Sequence, residues 1–80
     1  MNNSDKYKKV FTDSLSIDSA NISEELKYNE IPEWDSIGHM TLMSELEDGF
    51  NISLETDDII DFSSYKKGKE ILTSKYGVKF

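Results

Sequence analysis

Pro32-Glu33-Trp34-Asp35-Ser36-Ile37-Gly38-His39-Met40-Thr41-Leu42-Met43-Ser44-Glu45-Leu46-Glu47-Asp48-Gly49-Phe50 is the stretch that decides the fold. A proline-led approach reaches an Asp-Ser step, and a run with helical period follows. At about 100° per residue, with Ile37 at zero, Leu42, Met43, Leu46 and Phe50 fall between about 140° and 240°. That arc is a core stripe. His39 falls inside it, so it reads as a packing histidine. Thr41, Glu45 and Asp48 lie opposite, while Ile37 and Met40 stand off the stripe beside Ser44 and Glu47. Two large apolar side chains next to acids suit a docking surface as well as the edge of a small core. A helix from Ser36 to about Phe50 is expected, weakened at its end by Gly49 and Asn51.

Eighty residues allow one domain spanning 1–80 and one small core. The 36% apolar share is too high for a disordered composition. There is no cysteine, which excludes disulfides, thiolate metal sites and a cysteine nucleophile. A single histidine is too few for a His-based metal cluster, and no metal site is expected. The N-terminal residues lead into no apolar signal region, and no run approaches the roughly 20 apolar residues of a membrane span. A cytoplasmic protein without membrane contact is the expectation. The net charge of −7 is unevenly spread, with −3 over residues 1–33, −8 over 34–62 and +4 over 63–80. The acidic middle would repel nucleic acid phosphates and favours basic protein surfaces.

Upstream, Tyr7, Val10, Phe11 and Leu15 make one helical stripe, so a first helix is expected at about residues 4–15, capped by Asn3 or Ser4. Residues 16–35 are long for a connection inside a compact domain. Their spaced Ile17, Ile22, Leu26, Tyr28 and Ile31 predict a segment draped over the bundle, with one helical turn at Ser23–Leu26 started by Ser23. Downstream, Ile52 and Leu54 dock inward from a loop. Thr56 to Phe62 predicts a short third helix capped by Thr56, with acids in its first turn. Ser63 or Ser64 caps a fourth helix, in which Tyr65, Gly68, Leu72 and Tyr76 share a face beside Ile71. Gly68 there costs about 1 kcal/mol of helix propensity, which a close approach would justify. Lys75 suits the C-terminal pole, and Gly77 suits the residue just past the end. The fold class is all-α: a four-helix bundle with three main helices, a short third helix and a long first loop.

Asp35, Ser36 and His39 invite a hydrolase reading. However, the Gly-x-Ser-x-Gly elbow and its strand are absent, and a small helical bundle supplies no oxyanion hole readily. No catalytic residue is assigned. Calcium fails too, because an EF-hand needs oxygen ligands at alternating positions. From Asp48 those positions are Phe50 and Ile52, and from Asp57 they are Ile59 and Asp61. What remains is Ser36 as a modification site. With Asp35 as N-cap, the Ser36 hydroxyl stays free at the positive pole of a helix, where a phosphate ester is favoured.

Asp35-Ser36-Ile37, with Leu42 and then Leu46-Glu47-Asp48 and Phe50, resembles the acyl carrier protein family. That family's signature is Asp-Ser-Leu followed by an acidic amphipathic helix. The likeness runs through Ile52-Ser53-Leu54 and the acidic short helix to Ile71-Leu72, most of residues 31–76, while the first helix matches in pattern only. The resemblance implies a 4′-phosphopantetheine arm, derived from coenzyme A and placed on Ser36 by a separate phosphopantetheinyl transferase. The arm's thiol would hold an acyl intermediate as a thioester, so the chain would be a carrier and not an enzyme. It also implies that Ile37, Met40, Glu45, Glu47 and Asp48 meet basic patches on acyl-loading and acyl-transferring partners. Cargo would slip between helices near Leu46, Phe50, Ile59 and Phe62.

The chain departs from the family at Glu33, where Gly is common, and at Thr41, where an acid is frequent. Trp34, Gly38 and His39 are further differences around the site. These look more like a stand-alone secondary carrier dedicated to one pathway than the housekeeping fatty-acid carrier; a monomer serving lipid or polyketide biosynthesis is the expectation. An aminoacyl or peptidyl carrier of the same fold, or an unmodified acidic helical interaction module, are the alternatives.

Overall fold

The computed structural model describes residues 2–80. Its helices are α1 (Asn3–Leu15), α2 (Ser36–Phe50), α3 (Thr56–Asp61) and α4 (Tyr65–Tyr76), with a short 3-10 turn at Ser19–Asn21 in the long first loop. The all-α class, the three main helices, the short third helix and the long loop are as expected from sequence. Among the described residues no helix is long and apolar enough to cross a membrane.

The helix ends follow local chemistry. α1 begins a residue earlier than expected, because Asn2 rather than Asn3 or Ser4 is the cap and accepts from the Asp5 amide at 2.8 Å. α2 keeps its expected bounds, with Asp35 as cap and Asn51 in the left-handed conformation closing it at φ 55°. α3 ends at Asp61. Thr56 lies inside it, and Glu55 occupies the cap position without a side-chain bond. Phe62, freed from the helix, turns into the core. Ser64 caps α4 by accepting from the Lys67 amide at 2.9 Å, and Gly77 ends it at φ 70°.

The long loop is tied down at few points. The single helical turn expected at Ser23–Leu26 is a hydrogen-bonded turn, closed by Leu26 N–H to Ser23 O at 3.1 Å, and the 3-10 helical turn sits earlier, at Ser19–Asn21. Leu26 is buried, Ile17, Ile22 and Ile31 are half-buried, and Tyr28 stays exposed. A two-residue antiparallel bridge stitches the loop to the α3–α4 linker. Tyr28 N–H donates to Ser63 O at 2.9 Å, and Tyr65 N–H donates to Leu26 O at 2.8 Å.

The core is aromatic in its middle. Tyr7 and Phe11 of α1 pack against Tyr65 with ring centroids 4.7 and 4.8 Å away, and Phe11 meets Trp34 edge-on at 5.3 Å. The Tyr7 hydroxyl donates to the Tyr65 carbonyl at 2.7 Å, so this buried phenol is satisfied. Leu42, Met43 and Leu46 bring α2 into the same cluster, and Ile71 and Leu72 bring α4.

Two further contacts hold α4. A Cβ at Gly68 would overlap the Phe62 ring and the Tyr7 hydroxyl, so glycine is there for the approach. Asp58, one of the first-turn acids expected to suit the helix dipole, is buried, with its side chain only 3% accessible. Lys75 Nζ reaches Asp58 Oδ1 at 2.6 Å, and the Tyr76 hydroxyl donates to Oδ2. The hydrogen bond from Lys75, with that from Tyr76, holds the Asp58 carboxyl below its ordinary 3.8. The same bond raises Lys75.

Replacing Gly68 by Ala tests the close approach. Propensity alone would favour Ala by about 1 kcal/mol. Overpacking should instead make Gly68→Ala less stable by about 1–3 kcal/mol in urea titration. An unchanged or raised midpoint would refute the steric account. A pH series tests Asp58. A depressed carboxyl contributes its full stability above the ordinary 3.8 and loses it as pH falls through the lower folded value. Asp58→Asn should therefore lower the melting temperature at neutral pH, and its gap from the wild type should close in acid. A gap that is constant with pH would remove Asp58 from the acid limb.

Candidate functional site

Ser36 is the first residue of α2 and is exposed. The Asp35 Oδ1 atom accepts from the Gly38 amide at 2.8 Å, so the cap comes from the neighbour and Ser36 need not supply it. The Asp35 carbonyl accepts from the His39 amide at 2.8 Å, closing the first turn. Seated this way, the Ser36 hydroxyl lies over the positive end of a 15-residue helix. A phosphate ester there meets favourable backbone dipoles.

The approach to Ser36 is irregular backbone held by specific contacts. Trp34 is fully buried. Its amide bonds Ile31 O at 3.1 Å, and its carbonyl accepts from the Asn29 amide at 2.8 Å. Asn29 takes a positive φ of 66°, which its short polar side chain tolerates. Gly38 faces the Glu33 carbonyl so closely that a Cβ would overlap it. This makes Gly38 a crossing point, where the approach loop lies against the first turn of α2.

His39 is buried, as its place on the helical wheel predicts. The Trp34 Nε1–H donates to His39 Nδ1 at 2.9 Å, and Nε2 lies 2.8 Å from the Ile59 carbonyl oxygen. A donor facing Nδ1 and an acceptor facing Nε2 assign a neutral ring with its proton on Nε2. The imidazole and indole planes are only 19° apart with centroids 6.1 Å apart, the near-coplanar, edge-to-edge arrangement that an in-plane N–H···N bond requires. Both ring nitrogens are thus committed to the interior, and the ring is not offered to Ser36 as a base.

Among the residues expected to dock partners, Ile37 is 78% exposed and Met40 57% exposed. Thr41, Ser44, Glu45 and Asp48 continue that exposed strip along α2. Glu47 is different. It is half-buried, and its Oε2 accepts from the Leu54 amide at 2.8 Å. Its place on the exposed shoulder is corrected accordingly, because a carboxylate near the helix end finds an unpaired amide in the following loop. Ile60 of α3, not singled out from sequence, is 72% exposed. The adjacent pair Ile59-Ile60 carried the signal, since neighbours on a short helix cannot both face inward.

The four residues expected near cargo do not line one space. Ile59 and Phe62 line a cleft of about 280 Å³ with Tyr28, His39, Ile60 and Ser63. Leu46 is sealed in the core. Phe50 borders a separate depression with Lys6, Ile52 and Val78. The division follows from position on α2, since Phe50 ends the helix while His39 lies in its first turns.

The ring assignment is open to direct measurement. Long-range ¹H–¹⁵N correlation near neutral pH should show His39 Nδ1 as a bare nitrogen and Nε2 as protonated. The opposite pattern would mean that the Trp34 bond is misassigned. No protein-family model matches this chain, and no curated protein matches it.

Proposed function

We propose that this chain is a carrier protein of the acyl carrier type, with Ser36 as the attachment residue for a 4′-phosphopantetheine arm. The observation that carries the reading is the exposed Ser36 at the first position of α2, left free because Asp35 caps the helix. The setting supports it: a four-helix chain with a short acidic third helix, as the resemblance implies, and with the long first loop expected from the sequence. The residues fit the group, since a phosphodiester on the hydroxyl would face solvent while its charge lies near the helix N-terminus. Once bound, the arm supplies a thiol that holds an acyl cargo as a thioester.

The chain's own contribution is presentation. Ile37 and Met40, beside Glu45 and Asp48, give partner enzymes an apolar strip with an acidic border next to the arm. Apolar contact surrounded by charge is suited to brief, oriented docking, with the charges setting the approach. Ile60 extends the apolar area on α3. Of the residues considered for cargo, Ile59 and Phe62 remain in this reading, as walls of the cleft beside His39.

Incubating the purified chain with coenzyme A and a broad-specificity phosphopantetheinyl transferase should add one phosphopantetheinyl group by intact mass. Ser36→Ala should abolish the addition while the fold persists. If the mass is unchanged while the same transferase modifies a control carrier, the carrier reading fails. The exposed strip of α2 would then belong to an unmodified interaction module.

A further inference from the structure

We infer that the Trp34–His39 hydrogen bond is a positioning element for the attachment residue, fixing the pose in which Ser36 is presented to the modifying enzyme. This rests on the carrier reading above and adds to it the residues that govern how well the site is recognised.

Position and chemistry both support the inference. Trp34 and His39 lie on either side of Ser36 in the chain, two residues before it and three after. Their side chains meet in the interior at 2.9 Å. No regular structure holds the segment from Ile31 to Trp34, which is turn backbone. Its anchors are the buried indole, the bond from the Asn29 amide to the Trp34 carbonyl, and the crossing of the Glu33 carbonyl over Gly38. His39 is fixed in turn by the Ile59 carbonyl at 2.8 Å and by the edge of Phe62 at 6.0 Å. One imidazole therefore joins the approach loop, the first turn of α2 and the end of α3.

A packing role alone would not need these polar atoms. A leucine or phenylalanine fills a comparable space with no donors or acceptors to satisfy. A buried polar pair instead has one low-energy arrangement, because each group left unpaired is penalised. The pair thus gives the residues around Ser36 a single geometry, while the Ser36 side chain remains outside.

The transfer explains why pose matters. The Ser36 oxygen forms a bond to the phosphopantetheine phosphorus of coenzyme A, and the pyrophosphate P–O bond breaks. The adenosine 3′,5′-bisphosphate leaves with that electron pair, and the hydroxyl proton passes to a base on the transferase. The attacking oxygen must arrive in line, and small misplacements lower the rate steeply.

The experiment compares transferase kinetics for the full-length wild type, His39→Leu, His39→Gln and Trp34→Phe, each checked for fold by circular dichroism and amide NMR. Gln can accept from the indole and donate to the Ile59 carbonyl, whereas Leu can do neither. His39→Leu and Trp34→Phe should lose about tenfold in kcat/KM, mostly in kcat, as a misplaced nucleophile does. His39→Gln should remain within about threefold of the wild type, a rescue that packing does not explain. Amides at 33–37 should exchange faster in the Leu variant and not in the Gln variant. Wild-type rates in folded His39→Leu would overturn the inference, as would equal losses in the Gln and Leu variants. Losses that track unfolding in every variant would also overturn it, leaving the pair as core packing. Failure of the wild type itself to gain mass would instead overturn the carrier reading.

Discussion

The surroundings of Ser36 depend on a buried hydrogen bond between two rings. Trp34 has no regular secondary structure to hold it, yet it is fully buried, and its indole N–H requires an acceptor. His39 supplies that acceptor from the first turns of α2 and uses its other nitrogen on Ile59. An unpaired buried donor would cost about 1–3 kcal/mol, so the three groups exclude other pairings. Phe11 meets the indole edge-on at 5.3 Å, which ties α1 to the same point. The start of α2 is therefore positioned by groups from every part of the chain that surrounds it.

The helices were legible in sequence because each follows from local rules. The spacing of Leu42, Met43, Leu46 and Phe50 defines the inner face of α2, and Asp35, Ser64, Asn51 and Gly77 mark ends by chemistry that acts within a few residues. His39 was legible as a packing residue by angle alone. Its partner was not, because the bond to Trp34 depends on a turn at residues 31–34 that has no periodic signature. Asp58 was missed for a related reason. In the first turn of a short helix an acid looks like a dipole partner, and only the arrival of Lys75 and Tyr76 from α4 makes burial tolerable. Gly68 was legible as a close approach, but not which groups approach it.

The acidic middle of the chain is not one surface. Three of its eight carboxylates are committed to tasks that composition cannot separate from a free charge. Asp35 caps α2, Glu47 holds the Leu54 amide, and Asp58 is paired inside the fold. Glu45 and Asp48 remain on the exposed strip with Ile37 and Met40, while Glu55, Asp57 and Asp61 are exposed on and beside α3. A count of acids thus overstates what is free to meet a partner. Of those that remain, Glu45 and Asp48 share α2 with large exposed apolar side chains, which gives a more specific surface than a diffuse negative field.

The division of labour at the start of α2 has a physical consequence. A serine serving as its own helix cap would have its hydroxyl bound to the backbone, and modification would cost the helix about 1 kcal/mol. Here Asp35 takes that duty, so a substituent on Ser36 leaves the cap intact. The histidine nearby is equally withdrawn, with one nitrogen on Trp34 and the other at Ile59. The hydroxyl is exposed but receives no activation from that ring. A residue in this state suits chemistry brought by another protein: the fold holds its position, and in the carrier reading proposed above the base and phosphoryl donor would come from outside.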